Sequence, residues 1–205
     1  VQQCQFDTLY HEHFSYLSLT AVQRIFAASG LAVFDVQELP THGGSLRVFA
    51  QRSDASTPRP TEPAVAALLA REVQAGVCSA DFYSDFQLQA LRIKRELLSF
   101  LIDAQARGRK VAAYGAAAKG NTLLNFAGVR PDLLPYVVDK NPAKQGKFLP
   151  GSRIPIVDEA HLRADRPDVV LILPWNLRDE IMAQLAYVRE WGGQLVTAVP
   201  ELEFL

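Results

Sequence analysis

Two of the chain's four histidines stand within three positions of each other, in Tyr10-His11-Glu12-His13-Phe14-Ser15-Tyr16. A neutral imidazole accepts a proton near pH 7, a carboxylate orients an imidazole, and a phenol donates to an oxygen on which negative charge develops. The cluster holds the parts of a proton-abstraction site: a histidine as base, Glu12 as its orienting acceptor and Tyr10 as oxyanion donor. Two other readings stand beside this one. His-x-His occurs in metal sites, although it is not the His-Glu-x-x-His spacing that puts both imidazoles on one helix face. A polar loop bonding backbone groups at a helix start is the other.

A second candidate is Tyr114-Gly115-Ala116-Ala117-Ala118-Lys119-Gly120-Asn121-Thr122, directly after an apolar strand and opening a helix. Small residues there let backbone approach a ligand, and a helix N-terminus presents N–H groups to an anion. Ala117 replaces the second glycine of Gly-x-Gly-x-x-Gly. Lys119 precedes the second glycine where a Walker A loop places lysine after it, which excludes an NTPase. Lys119 and Asn121 favour a phosphate or sugar ligand over packing alone. Gly115, Ala116, Lys119, Gly120, Asn121 and Thr122 are therefore candidate substrate contacts. Asp139 ends the next strand, where a dinucleotide fold holds a ribose, or is a turn Asp before Asn141-Pro142. Trp175 and Asn176 follow a third apolar strand, and Trp175 either stacks on a base or covers the sheet edge. His42 lies in a third polar turn, Thr41-His42-Gly43-Gly44.

The elements that must position these groups follow from periodicity. A helix opens at Ser18-Leu19-Thr20 and closes at Gly30; strands follow at 31–40 and 45–49. One helix and a hairpin bury too little surface to close a core alone. Residues 53–63 hold three prolines with Ser, Thr and Asp and read as a linker. Helices are predicted over 62–75 and 81–107. From Arg109 onward, strands at 110–114, 136–139, 169–173 and 194–198 alternate with helices, one of them over 179–191. Strands separated by crossover helices imply a parallel, doubly wound α/β sheet.

The 205 residues carry 21 basic and 22 acidic side chains, a net charge of −1. No basic field exists to hold a phosphate backbone, so nucleic acid is excluded as a primary partner. No apolar run approaches the roughly 18 to 20 residues that cross a bilayer, so no membrane partner is expected. The first residues lack the basic region and apolar stretch of a signal peptide, and an initiator Met is missing, which suggests a piece of a longer chain. Cys4 and Cys78 stand in no paired spacing, so neither a disulfide framework nor a Cys-based zinc site is expected, and no metal is expected in this chain. The expected compartment is the cytoplasm.

Three segments resemble one family: Phe6 to Tyr16, Leu39-Pro40-Thr41-His42-Gly43-Gly44-Ser45-Leu46-Arg47, and Tyr114 to Thr122. It is the S-adenosylmethionine-dependent sugar C-methyltransferases that methylate a carbon of a dTDP-linked keto-deoxysugar. The resemblance implies residues 1–56 as the helix and β-hairpin ending a class I methyltransferase domain, 57–108 as a helical linker, and 109–205 as a Rossmann-like C-terminal domain. It implies His13 as the catalytic base with Tyr10 and Glu12 beside it, and His11, Tyr16 and His42 among the substrate contacts. The parent enzyme would hold S-adenosylmethionine and a zinc ion in parts with no counterpart here, so this fragment alone is expected to be inactive and to bind a nucleotide sugar weakly. Two alternatives remain open: an NAD(P)-type oxidoreductase domain, and a non-catalytic nucleotide-sugar-binding or interaction module.

Overall fold

Strands β3 (Val111–Tyr114) and β6 (Val169–Ile172) are apolar and buried at every position. A strand with no polar face must be covered on both sides. The computed structural model, which describes residues 1–205, places them side by side and parallel. Outside β3 lie β4 (Val137–Val138) and β5 (Ile156–Val157); outside β6 lie β7 (Gln194–Thr197) and β8 (Glu203–Phe204). The six strands run in the order β5-β4-β3-β6-β7-β8. All pairs are parallel except β7 with β8.

Alternation along β3 sends its side chains to two cores. Val111 and Ala113 join Ile93, Leu97 and Leu101 of helix α3 (Phe86–Ala106) and Leu123 and Leu124 of α4 (Ala118–Ala127). Ala112 and Tyr114 join Leu162 of α5 (Glu159–Asp165) and Ile181 of α6 (Arg178–Gln184) on the other face. The chain winds outward from β3 through β4 to β5, then crosses back to β6. The carboxyl ends of β3 and β6 thus flank the switch point, where open α/β sheets form a ligand crevice. The Rossmann-like α/β architecture read from the sequence is the one observed.

Residues Val1–His13 and Phe86–Leu205 form this compact unit. Its first residues are held by Phe6, whose ring centroid is 4.9 Å from that of Phe126, and by buried Cys4.

Residues Phe14–Asp85 form the second unit. It contains α1 (Leu19–Ala28), the antiparallel pair β1 (Leu31–Leu39) and β2 (Ser45–Arg52), and α2 (Pro63–Ala75). Leu19, Val33 and Val36 close a core with Val65 and Leu68 of α2. The first turn of α1 is capped from afar: Glu72 accepts the Leu19 and Thr20 N–H groups at 2.7 and 2.8 Å.

Some predicted elements break. The helix expected over 81–107 is a 3-10 turn, Ala80–Tyr83, followed by α3. Ser79 Oγ accepts the Asp81 N–H, and Ser84 Oγ donates back to the Asp81 carbonyl, closing the turn before the helix. The helix expected over 179–191 ends at Gln184, and a 3-10 segment, Ala186–Trp191, follows; the break buries Leu185 and Val188 fully. Strands β5 and β8 and helix α5 are additions to the sequence reading. No helix is long and apolar enough to cross a membrane.

Candidate functional site

His13 is oriented by backbone. Its Nδ1 lies 2.9 Å from the Thr8 carbonyl oxygen. A carbonyl only accepts, so Nδ1 carries the proton and Nε2 is the basic nitrogen of the neutral ring. Thr8 ends the 3-10 turn Phe6–Thr8, closed by Thr8 Oγ1 donating to the Gln5 carbonyl at 2.7 Å. The His13 N–H bonds the Tyr10 carbonyl at 2.9 Å, and the Tyr10 and His13 ring centroids are 4.2 Å apart. Glu12 Oε1 stands 3.9 Å from His11 Nε2, both side chains being largely exposed. The imidazole that Glu12 neighbours is thus His11, and the acceptor that orients His13 is the Thr8 carbonyl.

At the switch point, the chain leaving β3 turns through Gly115 into α4 and sets Lys119 in its first turn. The chain leaving β6 passes Pro174 into a 3-10 turn, Trp175–Leu177. Lys119, only 7% exposed, donates from Nζ to Asn176 Oδ1 at 3.0 Å and sits 4.4 Å from the Trp175 ring centroid. Trp175 Nε1 donates to Asp7 Oδ2 at 2.7 Å. Asp7 is fully buried, and its Oδ1 has no hydrogen-bond partner. Burial pushes the Asp7 carboxyl above the ordinary range, against the Trp175 hydrogen bond and the charge of Lys119. Burial likewise lowers Lys119, against the pull of Asp7. Three of the predicted residues, Lys119, Trp175 and Asn176, thus come together with Asp7, which the sequence reading did not single out.

The remaining loop residues are engaged locally. Gly115 has φ +93°, and a Cβ there would stand 2.5 Å from Cγ and Cδ of Pro174. A Cβ on Gly120 would stand 2.6 Å from Leu173 Cβ. Both glycines exist for close packing of α4 against the end of β6. Asp139 ties this loop to β4: it accepts the Ala116 N–H at 2.9 Å, the Asn141 N–H at 2.8 Å and Lys144 Nζ at 3.0 Å. Asn125 Nδ2 donates to Asn121 Oδ1 at 3.2 Å, and Thr122 Oγ1 donates to the Ala118 carbonyl at 3.1 Å. Tyr16 and His42 belong to the other unit, His42 in the 3-10 turn Thr41–Gly43 between β1 and β2. No three His, Cys, Asp or Glu side chains gather as a metal-ligand set.

A nicotinamide dinucleotide or S-adenosylmethionine in such a loop needs open backbone beside glycine and an available carboxylate at the end of the next strand. Pro174 and Leu173 fill that space, and Asp139 already accepts two N–H groups and a lysine.

The family described as the C-methyltransferase C-terminal domain matches residues 40–200 of this chain. The chain is also similar to the C-methyltransferase NovU of Streptomyces niveus, at 38% identity over 197 residues, which is 96% of this chain. It spans about half, 46%, of that relative's length.

Proposed function

Because the chain belongs to the C-methyltransferase C-terminal domain family, we propose that it is the C-terminal portion of an S-adenosylmethionine-dependent enzyme that methylates a carbon of a nucleotide-linked keto-deoxysugar. The observation that carries this reading is the His13 Nδ1–Thr8 carbonyl bond, which leaves Nε2 as the basic nitrogen. A carbon beside a ketone becomes nucleophilic only after it loses a proton to give an enolate. His13 Nε2 takes that proton, and the Tyr10 hydroxyl donates to the developing enolate oxygen. Lys119, fixed by Asn176, supplies positive charge for the diphosphate of the sugar nucleotide. Gly115, Ala116, Gly120, Asn121, Thr122 and Asp139 shape the loop that carries it. His11 and Glu12 are assigned to the sugar side, and Tyr16 and His42 remain assigned as substrate contacts of the other unit. The methyl donor and the zinc ion belong to residues outside this chain. The poor fit of the Gly115 loop to a nicotinamide dinucleotide speaks against an oxidoreductase.

The test is solvent deuterium exchange at the carbon beside the ketone, measured with the full-length enzyme without methyl donor. General-base catalysis contributes about a hundred- to ten-thousandfold, and His13→Asn should slow exchange within that range while His11→Asn slows it less. A His13→Asn enzyme that exchanges at the parent rate removes His13 as the base.

A further inference from the structure

We propose that Asp7 is a positioning residue for His13: anchored to Trp175, it fixes the turn whose last carbonyl selects the histidine's tautomer. The inference rests on His13 as the base and extends it to a residue that touches neither substrate nor imidazole.

The physical path is short and continuous. Asp7 and Thr8 are successive residues of one 3-10 turn. Trp175 Nε1 holds Asp7 Oδ2 at 2.7 Å, and the Thr8 carbonyl holds His13 Nδ1 at 2.9 Å. Phe6, on the other side of Asp7, is packed on Phe126. The Leu9 N–H, in the same peptide plane as the Thr8 oxygen, donates to the Phe6 carbonyl at 3.0 Å, so that plane has little freedom to turn. His13 itself is on the exposed side of this segment, where the Thr8 carbonyl and the Tyr10 ring both act on its imidazole.

Asp7 is an expensive anchor. A buried carboxylate with one oxygen unpartnered costs more than an apolar residue that would pin the turn by packing alone. What the carboxylate adds is direction, because it accepts a specific N–H from the loop that also carries Asn176. Lys119 Nζ lies over that indole, 4.4 Å from the ring centroid, and bonds Asn176. The base and the cation assigned to the diphosphate therefore share one rigid indole. Their separation is set by Trp175 and Asp7 together.

The test uses the full-length enzyme labelled with 15N at histidine, the His13 resonances being assigned by their loss in His13→Asn. The parent should show the Nδ1–H tautomer. Asp7→Ala should shift His13 toward a mixture of tautomers and slow deuterium exchange about ten- to a hundredfold. Asp7→Asn keeps an oxygen acceptor for Trp175 Nε1 and should restore most of both signals. Trp175→Phe keeps a ring beneath Lys119 but removes the donor, and should reproduce the tautomer mixture of Asp7→Ala. A folded Asp7→Ala enzyme with the parent tautomer overturns the proposal; if Asp7→Ala does not fold, an unchanged tautomer in Trp175→Phe overturns it. If the parent does not exchange the proton at all, the base assignment fails, and the tautomer shift still decides whether Asp7 positions His13.

Discussion

Replacing Gly115 by alanine tests whether the small-residue loop is built for packing or for ligand contact. Alanine at that position must hold φ near +93°, which costs a residue bearing a Cβ about 1–2 kcal/mol. Its Cβ would also stand 2.5 Å from the Pro174 ring, which cannot swing aside, and overpacking of this kind adds about 1–3 kcal/mol. The less entropic unfolded alanine returns about 0.4–1 kcal/mol, leaving a loss near 3 kcal/mol, roughly the middle of those ranges. Two companions separate the contributions. Gly128→Ala has φ +80° with no atom within 4 Å of the new Cβ, so strain alone acts and the loss is about 1 kcal/mol. Gly120→Ala keeps a helical backbone and meets Leu173 Cβ at 2.6 Å; overpacking there is partly offset by about 1 kcal/mol of helix propensity. Both tryptophans of the chain, Trp175 and Trp191, belong to the same unit as these glycines, so a thermal melt followed by tryptophan fluorescence reports it. At about 2–4 °C per kcal/mol, Gly115→Ala should melt about 6–12 °C below the parent and Gly128→Ala about 2–4 °C below. A Gly115→Ala melt no lower than that of Gly128→Ala would refute the packing account and return the space beside Gly115 to a ligand.

Two further outcomes follow from the same interactions. Burial raises the folded-state pKa of Asp7, so the folded protein holds that proton more tightly than the unfolded chain. Stability contributed at this site therefore falls as pH rises from the ordinary carboxyl value of about 4 to the raised folded value, and stays low above it. The denaturation-midpoint difference between parent and Asp7→Asn should decline across that window and then level off; a flat difference over acid pH contradicts a buried, ionising Asp7. In the other unit, Glu72→Ala removes charge-assisted bonds to the Leu19 and Thr20 N–H groups and should cost about 1.5–3 kcal/mol, read as faster amide hydrogen exchange in the first turn of α1. Unchanged exchange there would mean that Ser18, whose Oγ accepts the Ala21 N–H, caps the helix sufficiently.

The central strands were legible because both faces are covered: Val169 to Ile172 has no polar position, and only a doubly packed strand reads that way. The outer strands were not. β5 is two residues beside Pro155 and β8 is two residues at an exposed edge, too short for any periodicity to register. Asp139 was legible as a carboxylate at a strand end, but its partners are the Ala116 and Asn141 N–H groups and Lys144, and backbone donors leave no mark in side-chain patterns. The Tyr10 to His13 cluster stood out by residue type, whereas the Thr8 carbonyl that sets its tautomer belongs to every residue alike. Asp7 sits between Phe6 and Thr8 with no local pattern to mark it, because its partner is 168 positions away.

That separation bears on the order in which the protein can assemble. Ribosomes add about 5–20 residues per second, so the segment bearing Asp7 leaves the tunnel roughly ten to thirty seconds before the indole that must receive it. Through that interval Cys4 and Phe6, buried in the finished unit, have no sheet to cover them, while the unit formed by Phe14–Asp85 has its whole chain available and can close first. Residues Val1–His13 are thus made before every other part of the unit they join, Phe86–Leu205, and are seated only when its sheet is in place.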